Sequence, residues 1–353
     1  MNREQPRLGR YCFKLWLPLL SVALPILVAE ATCRVFHLAP PPRAGFGFYV
    51  RQLDNDVEHY FMVTDVQTLW SLKPGYVGPE CRVNSAGFRG MECAIAKPPN
   101  TFRIMCLGDS STFGLDVNES ETYPAQLEKL LNGDPWTGGM RYEVINGGVT
   151  GYTSAQCLAM FKNRGCKYES DLVTVWVGPN DLKKVYTLND RELLAWRRSR
   201  RYLVGSRVRD FLEWFHSYRT VSDILRRTAA DPPAVEKGAQ TRVSLDDYRK
   251  NLAALNKLCQ QRGSTLLLIS PARRKDRYVA QETIDYRRAL DEVARKEHIP
   301  LFALVEMTEE AAAPNAAFFM DAVHPNPKGY ALIAQKLAEF LWAQGFLKAS
   351  GAE

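Results

Sequence analysis

The stretch Arg103-Ile-Met-Cys-Leu-Gly-Asp-Ser-Ser-Thr112 decides how this chain folds. Ile104, Met105, Cys106 and Leu107 form a short unbroken apolar run, the pattern of a strand covered on both faces. Gly108 permits a sharp turn, and Asp109, Ser110 and Ser111 are turn and helix-cap residues. Small hydroxyls are therefore expected at the carboxyl end of a central parallel strand, where open α/β sheets place their ligands. Ser110 is the candidate nucleophile.

Outward from that stretch the pattern alternates. Strand-like runs fall at Ile104–Leu107, Tyr142–Asn146, Leu172–Val177, Thr265–Ile269 and Ile299–Leu304. Helix-like runs fall at Tyr123–Leu131, Ser154–Asn163, Leu245–Gln261, Glu282–Glu297 and Lys328–Ala343. In the last of these, Tyr330, Ile333, Leu337, Phe340 and Leu341 recur at helical spacing. Alternating strands and helices predict a parallel sheet with helices on both faces, an α/β fold in three layers. One block interrupts the alternation, from about Leu182 to Val243. It is basic and aromatic, and Phe211, Leu212, Phe215 and Leu225 suggest packed helices. It reads as a helical flap with a solvated basic face, or as a lid or membrane-surface contact.

A serine hydroxyl needs a base within hydrogen-bond reach, and the base needs an orienting acceptor. Of the 5 histidines, His324 stands out. It lies in a loop before the last helix, with Asp321 three residues ahead of it and Pro325 and Pro327 stiffening the loop. A D-x-x-H turn can set the carboxylate against Nδ1 while Nε2 faces outward. Acyl transfer also needs donors for the tetrahedral oxyanion. Gly147-Gly-Val-Thr-Gly151 follows one strand and offers the Gly151 N–H; Gly178-Pro-Asn-Asp181 follows another and offers the Asn180 amide. The N–H of Ser110 is the third candidate donor. Singly these signals are weak, since Gly-Asp-Ser is usually a helix cap and Asp-x-x-His usually a surface pair. Their order, and their placement on successive strand ends, is what gives them weight.

Taken together, Gly108-Asp-Ser110, Asn146 to Gly151, Gly178 to Asp181 and Asp321 to His324 resemble the four motifs of the SGNH, or GDSL-type, hydrolase superfamily. The resemblance covers roughly 103–343 and implies a flavodoxin-like three-layer fold. It implies Ser110 as nucleophile, His324 as base and Asp321 as its orienter, with Ser110, Gly151 and Asn180 as oxyanion donors. Leu72-Lys-Pro-Gly-Tyr76 and Asn84-Ser-Ala-Gly-Phe-Arg-Gly90 resemble a bacterial subgroup with an N-terminal membrane segment. The α/β-hydrolases share the Ser-Asp-His order, but no G-x-S-x-G surrounds Ser110. Ser111 stands where the family often has a larger apolar residue, and the 182–243 block is absent from the minimal fold.

The flanks set the expected location. Arg3, Arg7, Arg10 and Lys14 precede an uncharged apolar run, Leu15 to Ala29, the layout of a secretory signal or a signal anchor. The run is short against the ~20 residues of a span. Ala29-Glu-Ala31 offers a cleavage site; a helix retained toward Phe36 is the favoured alternative. Either way the bulk is expected outside the cytoplasm. The expected divisions are a basic tail and anchor at 1–37, a linker and capping segment at 38–100, and a hydrolase domain at 101–347.

Composition narrows the function. With 46% hydrophobic and 24% charged residues this is ordinary globular material. A net charge of +7 favours an anionic surface without demanding one. No base-reading module or zinc-type cysteine spacing appears, so nucleic acid is not expected as a partner. Cys81 with Cys93, and Cys157 with Cys166, are candidate disulfides in an oxidising compartment. The leading expectation is an extracytoplasmic serine esterase, working without metal or organic cofactor on acyl esters of carbohydrate or lipid. The alternatives are an O-acyltransferase acting on envelope polysaccharide and a non-catalytic, membrane-tethered glycan-binding protein. The oligomeric state is left open.

Overall fold

Thr101–Gly108 forms the strand expected from the opening stretch, and in this computed structural model it lies inside a parallel sheet. The structure describes residues 8–38, 61–79, 81–133, 140–185, 188–199, 202, 207–208, 211–212, 214–228, 240–271, 281–304 and 315–347. In chain order the strands are β1 (Met62–Asp65), β2 (Leu69–Leu72), β3 (Thr101–Gly108), β4 (Arg141–Gly148), β5 (Leu172–Trp176), β6 (Lys184–Val185), β7 (Gln240–Thr241), β8 (Thr265–Ile269) and β9 (Leu301–Phe302).

The main sheet runs β4-β3-β5-β8-β9, and every neighbouring pair is parallel. This is the strand order of flavodoxin-like sheets, whose ligand crevice opens where the winding reverses, between β3 and β5. The register sets Gly108 opposite both Gly148 of β4 and Trp176 of β5, so three strands end at one rim.

Side chains alternate between two cores, as the two-residue period of a strand requires. Ile104, Cys106, Leu172, Leu267 and Ile269 pack against the helices Tyr123–Gly133 and Pro327–Ala343. Met105, Leu107, Val173, Val175 and Leu268 pack against the helices Ser154–Asn163, Leu245–Gln261 and Gln281–Lys296. Burial on both faces is why these strands read as continuous apolar runs.

Two helices and β8 begin and end at the residues the periodicity indicated, and their caps explain the helices. Ser244 accepts from the Asp247 N–H at the start of Leu245–Gln261, and Thr153 forms a capping box with Gln156 before Ser154–Asn163. The edge strand β9 is only Leu301–Phe302, shorter than the Ile299–Leu304 run, because it pairs with β8 at just two positions. The segment before the domain carries the β1–β2 antiparallel hairpin.

Chain contacts divide the protein into two compact units, Phe46–Arg198 with Val235–Glu353, and Met1–Gly45 with Ser199–Ala234. The sheet lies in the first. The neck of the interrupting block is pinned there by β6 pairing antiparallel with β7, and Asp190–Arg198 is helical.

In the second unit, Leu8–Val35 is one helix. Among the described residues, no helix is long and apolar enough to cross a membrane. The expected membrane anchor is not shown; the helix runs past Glu30 to Val35, and Glu30 and Arg34, paired at 2.8 Å, lie in its last turns. Glu30, the middle of Ala29-Glu-Ala31, accepts from the N–H groups of His216 at 3.0 Å and Ser217 at 2.8 Å, capping the helix His216–Thr228. Phe211, expected to pack inside, is 64% exposed and meets the ring of Phe215 edge-on. The linker at 39–60 and the Leu225 side chain lie outside the described residues.

The candidate disulfides are a correction. Cys93, Cys157 and Cys166 are free thiols, so neither pairing is present. Cys157 is buried in the core beside the sheet, while Cys166 donates from its thiol to the Lys162 carbonyl.

Candidate active site

Ser110 owes its position to the end of β3. The strand stops at Gly108, and Asp109 caps the short helix Ser110–Phe113 by accepting from the Ser111 N–H at 2.9 Å. Ser110 is the first residue of that helix, so its own N–H has no intrahelical acceptor. The helix lies directly on the end of β4. A Cβ added to Gly148 would stand 2.2 Å from the Phe113 backbone nitrogen, so only glycine fits there.

The base arrives from the other end of the chain. In the loop before the helix Pro327–Ala343, the Met320 N–H donates to the His324 carbonyl and the Asn326 N–H to the Phe318 carbonyl, both at 2.9 Å. Asn326 then caps the helix and Pro327 opens it. This frame sets His324 Nε2 2.8 Å from Ser110 Oγ and His324 Nδ1 2.6 Å from Asp321 Oδ2. The other Asp321 oxygen accepts from the N–H groups of Val323 and His324 at 2.8 and 2.7 Å. Partial burial pushes the Asp321 carboxyl upward, but hydrogen bonds from the His324 ring and the two N–H groups prevail and hold it below the ordinary carboxylate range. A hydroxyl, an imidazole and an ionised carboxylate thus stand in line, able to take a proton from the alcohol and stabilise the imidazolium.

The candidate oxyanion donors meet at the same rim. Gly151 lies in the turn after β4 with φ +77°, and neither its N–H nor that of Ser110 is used within the described residues. Asn180 follows β5 and is buried. Its amide nitrogen is shared between Asp109 Oδ2 and the Tyr152 carbonyl, each at 3.2 Å. Both amide protons thus have acceptors, at the long end of the hydrogen-bond range, so one contact must be given up for Asn180 to serve an oxyanion. Asp109 is therefore more than a helix cap: it aims Asn180. The sequence marked it only as a turn and helix-cap residue, although its place beside Ser110 was the available signal. Burial pushes the Asp109 carboxyl up, against the hydrogen bond from the Ser111 N–H and the charge of His324.

Two further residues support the site without touching it. Arg89, from the capping segment, is buried, donating to the carbonyls of Phe113 (2.8 Å), Gly114 (2.6 Å) and Val117 (2.7 Å). It thereby satisfies the open C-terminal end of the Ser110 helix. Asp181 accepts from the Ser154 N–H at 3.0 Å and the Ser154 hydroxyl at 2.5 Å. Burial pushes its carboxyl up to about 7. Among the described residues, no group of three or more His, Cys, Asp or Glu side chains is placed to hold a metal ion.

The fold and its family define a hydrolase of ester bonds. The chain belongs to the GDSL-like lipase/acylhydrolase family, whose model matches residues 106–332. No curated protein matches it. Among solved structures it is similar to the lipase/acylhydrolase from Enterococcus faecalis, at 17% identity and a TM-score of 0.47, over 71% of this chain and 100% of that one. It is also similar to an acetylxylan esterase from Geobacillus stearothermophilus, at 17% identity and a TM-score of 0.44, over 69% of this chain and 94% of that one.

Proposed function

We propose that the protein is a serine esterase that works through an acyl-enzyme on Ser110. The observation that carries this is the 2.8 Å contact between Ser110 Oγ and His324 Nε2, with Asp321 on the far side of the ring. Ser110 Oγ attacks the ester carbonyl as its proton passes to His324. The N–H groups of Ser110 and Gly151 and the amide of Asn180 receive the oxyanion. Collapse breaks the bond to the alcohol, which leaves with the proton from His324. Water, deprotonated by His324, attacks the acyl group in the same way and frees Ser110. Asp321 keeps the imidazole in the tautomer and orientation these transfers need.

The proposed substrates are acyl esters of carbohydrate or lipid, and the proposed location is extracytoplasmic. The location is supported by the basic residues Arg3 to Lys14 ahead of the apolar run Leu15 to Ala29. Cleavage of p-nitrophenyl acetate, with Ser110→Ala as the blank, tests the reaction. Comparison of short acyl esters with acetylated sugars tests the substrate class, and acyl gain on a glycan would indicate transfer instead. Protease accessibility in intact and permeabilised cells tests the location.

A further inference from the structure

The Gly151 N–H can serve an oxyanion only if the peptide joining Thr150 to Gly151 faces the right way. That peptide is the middle one of a turn closed by the Tyr152 N–H donating to the Val149 carbonyl at 3.1 Å. Gly151 is the third residue of the turn, with φ +77°. Type I and type II turns differ mainly by a half-rotation of this middle peptide, and a third residue near +80° marks type II. The two orientations differ little in free energy in an isolated turn containing glycine. The wrong one would turn a carbonyl, not an N–H, toward the substrate.

Two side chains hold the turn in one orientation. The indole Nε1–H of Trp70, on β2, donates to the Thr150 carbonyl at 3.0 Å. Because a trans peptide is planar, its C=O and N–H point in opposite directions. Anchoring the Thr150 oxygen on Trp70 therefore aims the Gly151 N–H away from Trp70. The next peptide is held by Arg242, whose Nη1 donates to the Gly151 carbonyl at 2.7 Å. Arg242 is itself fixed: it is fully buried, pairs with the equally buried Asp190 at 2.8 Å, and donates to Gln156 Oε1 at 2.7 Å. Its guanidinium lies 5.4 Å from the centre of the Trp70 ring. Trp70 in turn accepts at its carbonyl from the Tyr152 hydroxyl at 2.7 Å. Asp190 and Arg242 stand at the two ends of the interrupting block, and Trp70 comes from the capping hairpin. The turn is thus braced by segments outside the minimal domain.

We propose that Trp70 is a positioning residue for the reaction: its indole N–H, backed by Arg242, locks the Thr150–Gly151 peptide with the Gly151 N–H toward the oxyanion. This rests on the esterase reading of Ser110. Trp70→Phe keeps an aromatic ring and removes the donor. The expected result with p-nitrophenyl acetate is a kcat lower by about tenfold to a hundredfold, part of the range for losing an oxyanion donor outright. KM and melting temperature should stay close to wild type. Should Trp70→Phe fold poorly, 3-benzothienylalanine at position 70 keeps the bicyclic outline and exchanges only the N–H for sulphur. Crystals of either variant should show the Thr150–Gly151 peptide rotated or in two orientations. A kcat within about twofold of wild type, or an unmoved peptide, overturns the proposal. If wild type cleaves no ester and the peptide still rotates in the variant, the esterase reading falls and the lock stands.

Discussion

The imidazole Nε2 of His324 stands 2.8 Å from the hydroxyl of Ser110, although 214 positions separate them along the chain. Neither residue moves there by its own local preference. β3 carries one to the rim of the sheet, and the capped helix Pro327–Ala343 anchors the loop that carries the other. The chemistry is a property of where those two elements end.

If that contact is the engine, Ser110→Ala should lower ester turnover by at least about 10⁴-fold. The substitution removes one oxygen from a buried site, so circular dichroism and melting temperature should be nearly unchanged. Steady-state hydrolysis and labelling by a fluorophosphonate probe check it together. Wild-type rates in the variant would remove Ser110 from the mechanism.

Asn180 is gripped by Asp109 and the Tyr152 carbonyl, and its amide is the candidate third donor. Asn180→Ala should reduce kcat by about 10²–10³-fold with KM little affected. An equal rise in KM with kcat preserved would make Asn180 a binding residue instead.

Arg89 holds three backbone carbonyls and also lies 4.4 Å over the Phe113 ring. Arg89→Met keeps the bulk and removes the donor to all three carbonyls, of which Phe113 keeps the Asn146 amide at 3.2 Å and Gly114 the Val117 N–H at 3.4 Å. The expected cost is about 2–4 kcal/mol, since each buried acceptor left unsatisfied costs on the order of 1–3. Urea denaturation measures it, and a midpoint unchanged from wild type would show that water or relaxation replaces the guanidinium.

Asp181 is the buried acid with the clearest pH signature. Its pKa is raised to about 7 by burial, opposed by its hydrogen bonds from Ser154 and the charge of Arg242 and reinforced by Asp190. Between the unfolded value near 3.8 and about 7, the folded state holds a proton that the unfolded state has lost. Stability contributed by this group therefore falls as pH rises through that window, by at most about 1.4 kcal/mol per pH unit. Asp181→Asn should flatten the slope of melting temperature against pH over this range. An identical slope in the variant would mean that other groups set it.

Much of the fold was legible because its signals are local. Apolar runs marked the strands, and helical periodicity marked two helices that begin where expected. Ser110, Asp321, His324, Gly151 and Asn180 were likewise named from short motifs, each with a turn or cap chemistry of its own. The interrupting block was less legible. Its apolar positions suggested packed helices, yet Phe211 is 64% exposed, since a pattern shows which residues prefer burial and not what covers them. The free thiols make the same point, because cysteine spacing carries no information on which sulphurs meet.

Strand period, turn chemistry and capping act over a few residues, so the parallel sheet and the motif residues could be read from the chain alone, and the family resemblance of those motifs implied the ester-hydrolase class. Long-range packing settled the rest: Asp109 aims Asn180, Arg89 closes the Ser110 helix, and Trp70 and Arg242 brace the turn at Gly151. Those relationships join residues 24 to 91 positions apart. They depend on which buried donors find unpaired carbonyls once the layers close, and no local pattern encodes that.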